Sequence, residues 1–306
     1  MQQRSLRTAG LFLFALVGGA AAAAPASRAR KMPAITDKTL VARAVAADLT
    51  RRGGKDAHVI SESSAVGSRL MFYKARSRQT GNMWDTWLYH HGGTYHLYYL
   101  AKRSGQWDNI SAATSPDGVH WKELGPILRK GKGVKWMGTG STWRSPRHAK
   151  DGKFFMNFSE WRGARQTIFF AESSDLLHWT RLGGDVEFKQ DERWYEPNGR
   201  WDCIWTIPKS GGGLYGYWTA TPKKQTGGRF GFGETADGVT WRALPPPKVH
   251  GAGGGEVGAV EKIGGKYYMM FGHYPVMVTL VADRPEDGMS KRWTSNEYRR
   301  SPRGSS

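Results

Sequence analysis

The chain has 306 residues, including 14 Trp, 12 Tyr, 12 Phe and 40 Gly, and a formal net charge of +19. A single cysteine, Cys203, excludes an internal disulfide, and no Cys/His grouping has zinc-finger spacing. The charge does not define a nucleic-acid binder, because residues 1–31 carry +5, 32–76 carry +4 and 291–306 carry +4, leaving +6 for everything between.

Residues 1–29 read as a secretory signal, with Arg4 and Arg7 before an apolar run from Leu11 to Val17 and small-residue cleavage sites from Ala20 to Ala26. The expected product is secreted or periplasmic, with no membrane association after cleavage. Residues 30–82 read as a linker, a short helix capped by Thr36 and ended at Gly53-Gly54, and one strand-forming patch, Leu70 to Tyr73. The stretch Met83 to Leu100 reads as a hairpin: an acid, Asp85, opens an aromatic strand, Gly92-Gly93 turns it, and a second aromatic strand follows.

That hairpin recurs. GGTYHLYYLA, DGKFFMNFSE, GGGLYGYWTA and GGKYYMMFGH align on Gly93, Gly152, Gly212 and Gly265, at steps of 59, 60 and 53 residues. A second landmark keeps the same period: Trp121, Trp179 and Trp241 end three similar segments and are 58 and 62 residues apart. Units of about 60 residues with several short strands each predict an all-β fold, a β-propeller. Four blades are visible, at roughly 83–130, 136–187, 194–249 and 254–288, within a catalytic domain spanning 83–289. The expectation is a five-bladed ring whose fifth blade is incomplete or truncated. The tail, 290–306, is basic and expected to be disordered.

In a propeller the innermost strand of each blade lines the axial channel, so the starts of those strands converge. At the compared position stand Trp84-Asp85-Thr86, Trp143-Arg144-Ser145, Trp201-Asp202-Cys203 and Gly255-Glu256-Val257. An acid among apolar strand residues is costly unless paired or used, and three blades carry one. Converging carboxyls are what glycoside cleavage needs: one attacks carbon or activates water, and another, kept protonated, donates to the leaving oxygen. A lone acid is more often a turn cap or an Arg partner. Asp85, Asp202 and Glu256 together favour a catalytic set.

The segment NMWDTWLYHHGGTYHLYYL resembles the start of the catalytic propeller of glycoside hydrolase family 32, where W-M-N-D-P-N-G carries the nucleophilic Asp. STWRSPRHAKDGKFFMNFSEW is similar to the R-D-P segment, RWDCIWTIPKSGGGLYGYWTA to the E-C segment, and GGGEVGAVEKIGGKYYMMFG to the acid-bearing blade of family 43. The resemblance covers about 80–288 and implies a five-bladed glycosidase propeller. It implies Asp85 as nucleophile or base, with Asp202 and Glu256 competing for general acid. It implies Arg144 as a sugar-binding arginine. Ser145 departs from it, standing where the R-D-P motif has its acid.

Further substrate contacts expected are Trp84 and Trp143 by stacking, Glu196 at the funnel entrance and Asp108 in QWDN. Blade packing is the plainer role for any one of the Trp residues, Trp201 included, as turn chemistry is for Asp108. Cys203, in a strand-like run, reads as a buried free thiol. No metal and no cofactor are expected. The expected partner is a carbohydrate and not nucleic acid. The function read is hydrolysis of a glycosidic bond, the alternatives being a carbohydrate-binding propeller without turnover and a glycoside phosphorylase of similar fold.

Overall fold

The computed structural model of the protein describes residues 73–75, 82–102, 106–183, 186–224, 229–247, 255–273 and 276–285. The expected leader, the expected helix near Thr36 and the expected tail lie outside them.

Four antiparallel sheets follow one another along the chain, as the repeat predicts. The first is β1 (Asn82–His91), β2 (Thr94–Lys102), β3 (Asn109–Ser115) and β4 (Lys122–Arg129), in that spatial order. In the second, β7 (Phe154–Arg162) and β8 (Arg165–Ser173) form the middle. On their inner side lie β5 (Trp136–Met137) and β6 (Thr142–Arg144), and on their outer side β9 (Thr180–Arg181) and β10 (Glu187–Phe188). A single helical turn, α1 (His148–Asp151), precedes β7. The third sheet is β11 (Trp201–Pro208), β12 (Leu214–Ala220), β13 (Phe230–Thr235) and β14 (Arg242–Leu244). The fourth has three strands among the described residues, β15 (Glu256–Ile263), β16 (Lys266–His273) and β17 (Val276–Ala282). The sheets are arranged as the blades of a propeller.

The hairpin turns form where the glycines fall. Gly92 and Gly93 have φ of 56° and 78°, Gly264 and Gly265 of 56° and 86°, the paired left-handed conformation that tightens a two-residue hairpin. The middle strands β7 and β12 are almost wholly buried, β2 is buried over its second half, and β16 is buried at Met269 and Phe271. One apolar cluster draws on all four blades, from Trp87 and Tyr98 through Met156 and Tyr217 to Phe271. A second, aromatic cluster fills the space between blades two and three, with Trp201 4.9 Å from both Trp218 and Tyr195.

The repeated Ser/Thr-x-Asp turns tie blade to blade. In each, the hydroxyl of Ser115, Ser173 or Thr235 accepts the N–H three residues on, and Asp117, Asp175 or Asp237 accepts the next two. The turn then offers a carbonyl to the preceding blade: Tyr98 donates to Leu176 O at 2.7 Å, and Trp143 Nε1 to Gly238 O at 3.2 Å. The turn acids are therefore structural. On the inner side, Trp87 Nε1 donates to Thr142 at 3.0 Å, Asn157 exchanges two 3.0 Å bonds with Ile204, and Val257 N donates to Thr219 at 3.0 Å.

Candidate active site

The inner strands β1, β11 and β15 share a defect. Their pairing with the next strand slips after Trp84, after Asp202 and after Val257, so each carries a bulge near its start. Asp85 and Cys203 are the bulged residues of blades one and three, and both have left-handed φ, 30° and 61°. A bulge re-aims the side chain it carries. In blade one that side chain is a carboxyl. In blade three it is a thiol, buried, with Sγ 3.4 Å from Val257 O. Asp202 and Glu256 occupy the residue opposite Thr219 and Gly272, the register position that Trp84 holds opposite Leu100.

The three acids share one neighbourhood. Arg200, just before β11, reaches Asp202 Oδ2 at 3.3 Å and Glu256 Oε1 at 2.6 Å. Asp202 is sealed, its side chain 6% exposed, whereas that of Glu256 is 60% exposed. Asp85 lies open to solvent on one side, with protein around the rest. Its carboxyl is pushed up to about 7, first by desolvation and then by the charges of Asp202 and Glu256, with Arg200 opposing. Burial raises Asp202 as well, while Arg200, Ser159 and Gln166 act to lower it. No donor reaches its Oδ1 in hydrogen-bonding geometry.

Blade two contributes space and not an acid. The expected equivalence of Trp143-Arg144-Ser145 to Trp84-Asp85-Thr86 is corrected by register. Arg144 pairs with Phe154 at the start of β7, whereas the position matching Trp84 is Gly138, whose N–H bonds Ser159 O at 2.8 Å. The interruption at 138–141 splits the inner strand into β5 and β6 and displaces the sequence alignment. A Cβ on Gly138 would stand 2.9 Å from Asp202 Oδ1 and collide with Ser159 Oγ. Gly138 thus leaves the hollow that Asp202 enters.

Three other expectations are corrected with it. Trp143 is buried in the second aromatic cluster with its N–H on Gly238 O, and Trp201 is buried with its N–H on Phe188 O, so neither presents a face to a sugar. Arg144 donates to His91 Nδ1 at 2.7 Å, at the hairpin end of blade one and away from the acids. Ser145 is a turn residue, donating to Asp151 at 2.7 Å and accepting from Arg147 N at 3.0 Å. Its lack of a carboxyl takes nothing from the mouth.

Trp84 is 57% exposed beside Asp85 and stacks on Trp107, 5.8 Å away at 26°, with Lys102 over Trp107 at 4.9 Å. Asp108 accepts from Asn109 Nδ2 at 2.6 Å, as turn chemistry requires. Glu196 is exposed on the lead-in to β11, in no ion pair among the described residues, and its backbone N–H bonds Thr221 O at 2.8 Å.

Arg200, Gly138 and Trp107 were not legible as site residues from repeat position alone. Arg200 had a signal: two residues before Asp202 in an extended segment, it shares that side chain's face. A further acid, Glu160, is buried on the middle strand β7 of blade two, but there Arg181 grips it bidentately at 2.6 and 2.7 Å and Gly131 N donates at 2.8 Å. Those donors hold it below the ordinary carboxylate range, against burial. It is a structural acid, and the contrast with Asp202 is the unfilled Oδ1. No group of three or more His, Cys, Asp or Glu among the described residues has metal-site geometry.

No protein-family model and no curated sequence matches the chain. Solved structures do. A family 117 glycoside hydrolase produced by the marine bacterium Zobellia galactanivorans aligns over 72% of this chain and 72% of its own, at a TM-score of 0.52 and 17% identity. The likeness is to a β-propeller fold. An α-L-arabinofuranosidase from Clostridium thermocellum aligns over 70% of this propeller chain and 72% of its own, at a TM-score of 0.48 and 13% identity. A family 43 β-1,3-galactosidase aligns at the same score and identity over 68% of this chain, which spans 44% of that protein's length. At these identities the likeness is one of fold.

Proposed function

We propose that the chain is a glycoside hydrolase acting on an oligo- or polysaccharide, with its site at the mouth formed by Asp85, Asp202 and Glu256. The observation that carries this is the convergence of three carboxyls from three blades, on strands that are otherwise apolar, in a fold used by glycosidases. Exposure divides the roles. Glu256 reaches solvent and can meet a leaving oxygen, so it is the general acid. Asp202 is sealed and cannot, so it acts on its neighbours through charge. Asp85, aimed by its bulge, is the base or nucleophile. The exposed face of Trp84, held by Trp107, stacks on a sugar ring beside Asp85. The separation between carboxyls under substrate sets the stereochemistry, about 5–5.5 Å for retention and roughly 6.5–9.5 Å for inversion.

The test is hydrolysis of a panel of plant and microbial glycans by wild type, Asp85→Asn, Glu256→Gln and a Glu196→Gln control. Turnover lost in the first two variants and kept in the control supports the assignment. Full activity in Asp85→Asn removes it. Glycan binding without turnover in wild type is the outcome that supports the non-catalytic reading. That reading draws on the resting ion pair between Glu256 and Arg200, which engages the carboxyl that has to meet the leaving oxygen.

A further inference from the structure

Three carboxyls in one mouth cannot all ionise freely, because each raises the proton affinity of the others. Which of them holds a proton depends on where a cation sits. Around Asp85 the charged groups are Asp202, Glu256 and Arg200, and around Asp202 they are Arg200, Glu256 and Asp85, with the neutral Ser159 and Gln166 alongside. Arg200 is the cation common to both sets.

Its placement is asymmetric. One guanidinium nitrogen takes Glu256 at 2.6 Å and another takes Asp202 at 3.3 Å, so the fork spans blades three and four. No ion pair joins it to Asp85. Its Nε is buried without an acceptor, so among the described residues the head is held by the two acids. Its backbone N–H is fixed on Thr221 Oγ1 at 2.9 Å, which sets where the side chain starts. A planar fork spans two carboxylates in fixed geometry, which an ammonium on a flexible stem does less well.

We propose that Arg200 is the positioning residue of this mouth, clamping Glu256 to Asp202 and thereby deciding which of the three carboxyls carries the shared proton. The clamp favours Glu256 and, against its burial, Asp202 as carboxylates, and the proton is left to the unclamped Asp85 in the resting protein. Substrate entering the mouth then has one exchange to drive. Glu256 must leave Arg200 and gain a proton while Asp85 loses one. Proton count and charge are conserved in that exchange. The inference deepens the glycosidase reading and rests on it only for what the exchange is used for.

The experiment is a 13C NMR titration of the Asp and Glu side-chain carboxyls, with Asp85, Asp202 and Glu256 assigned through their Asn or Gln variants, in wild type, Arg200→Met and Arg200→Lys. It reads no turnover, so a failure of the glycosidase reading leaves its result interpretable. Loss of the clamp is expected to move the Asp202 titration up by about one to three pH units. Arg200 also lowers Asp85, so the Asp85 titration should not fall, and Asp202, which loses an ion pair, should rise more than Asp85 does. Arg200→Lys should give shifts in the same directions and smaller. A purely structural role for Arg200 predicts carboxyl titrations unchanged in the folded variants, and that result overturns the proposal. If Arg200→Met does not fold, unchanged titrations in Arg200→Lys overturn it equally.

Discussion

At Asp85 two unfavourable features coincide: a left-handed backbone on a non-glycine residue and a carboxyl raised by two neighbouring acids. Such costs persist where the surrounding structure imposes them, and they cluster at working sites. The Asp85→Asn variant suits this position, since Asn tolerates the same φ. It is expected to abolish turnover and to stabilise the fold at pH 8 by about 1 kcal/mol, the value left after water on its open side screens the repulsion. The sign follows from the raised titration. Asp85 favours the folded state below its ordinary value near 4, and that contribution is lost as pH rises through about 7. The Asn variant should therefore melt higher than wild type at pH 8 and no higher at pH 4. At Glu256 the expectation is different. Glu256→Gln should lower kcat by about a hundredfold or more on sugar leaving groups. The loss should be much smaller on an aryl glycoside whose leaving group needs no protonation. Trp84→Ala should weaken glycan binding by about tenfold, or ~1.4 kcal/mol, with little change in melting, because its ring already faces water.

Among the elements, the bulged inner strands do the positioning and the Ser/Thr-x-Asp turns hold the blades. Gly238 belongs to such a turn, with φ of 94°, and a Cβ there would lie 2.9 Å from Pro146 and 3.0 Å from Phe155. Gly238→Ala should cost about 2 kcal/mol and lower the melting temperature by several degrees, while the titrations of the mouth acids stay put. The repeat of the hairpin, and with it the number of blades described, was legible because turn glycines and the Trp landmarks move together. The inner strand of blade two was not. Its excursion at Gly138–Ser141 breaks the aromatic pattern on which an alignment depends, so the pattern points to Trp143 where the fold places Gly138. Exposure was likewise hidden. Trp84, Trp143 and Trp201 look alike along the sequence, and only packing separates one open face from two buried ones.

Over the whole molecule, the ring brings together residues that lie far apart in sequence, and the same ring seals Glu160. Stability should accordingly fall on both sides of a mid-acid optimum. Asp85 contributes less as pH rises through about 7, while Glu160, held low by Arg181, contributes less as pH falls below the ordinary carboxylate range. The net charge of +19 is concentrated in the flanks, so the charge that governs the mouth is local: three carboxyls and one guanidinium. Those carboxyls share one field. The most direct measurement is the 13C titration of Asp85 in wild type and in Glu256→Gln. Wild-type Asp85 should titrate near 7, and removing the Glu256 charge should move it measurably lower. A wild-type value in the ordinary carboxylate range, or one near 7 that does not respond to Glu256→Gln, would contradict a shared mouth.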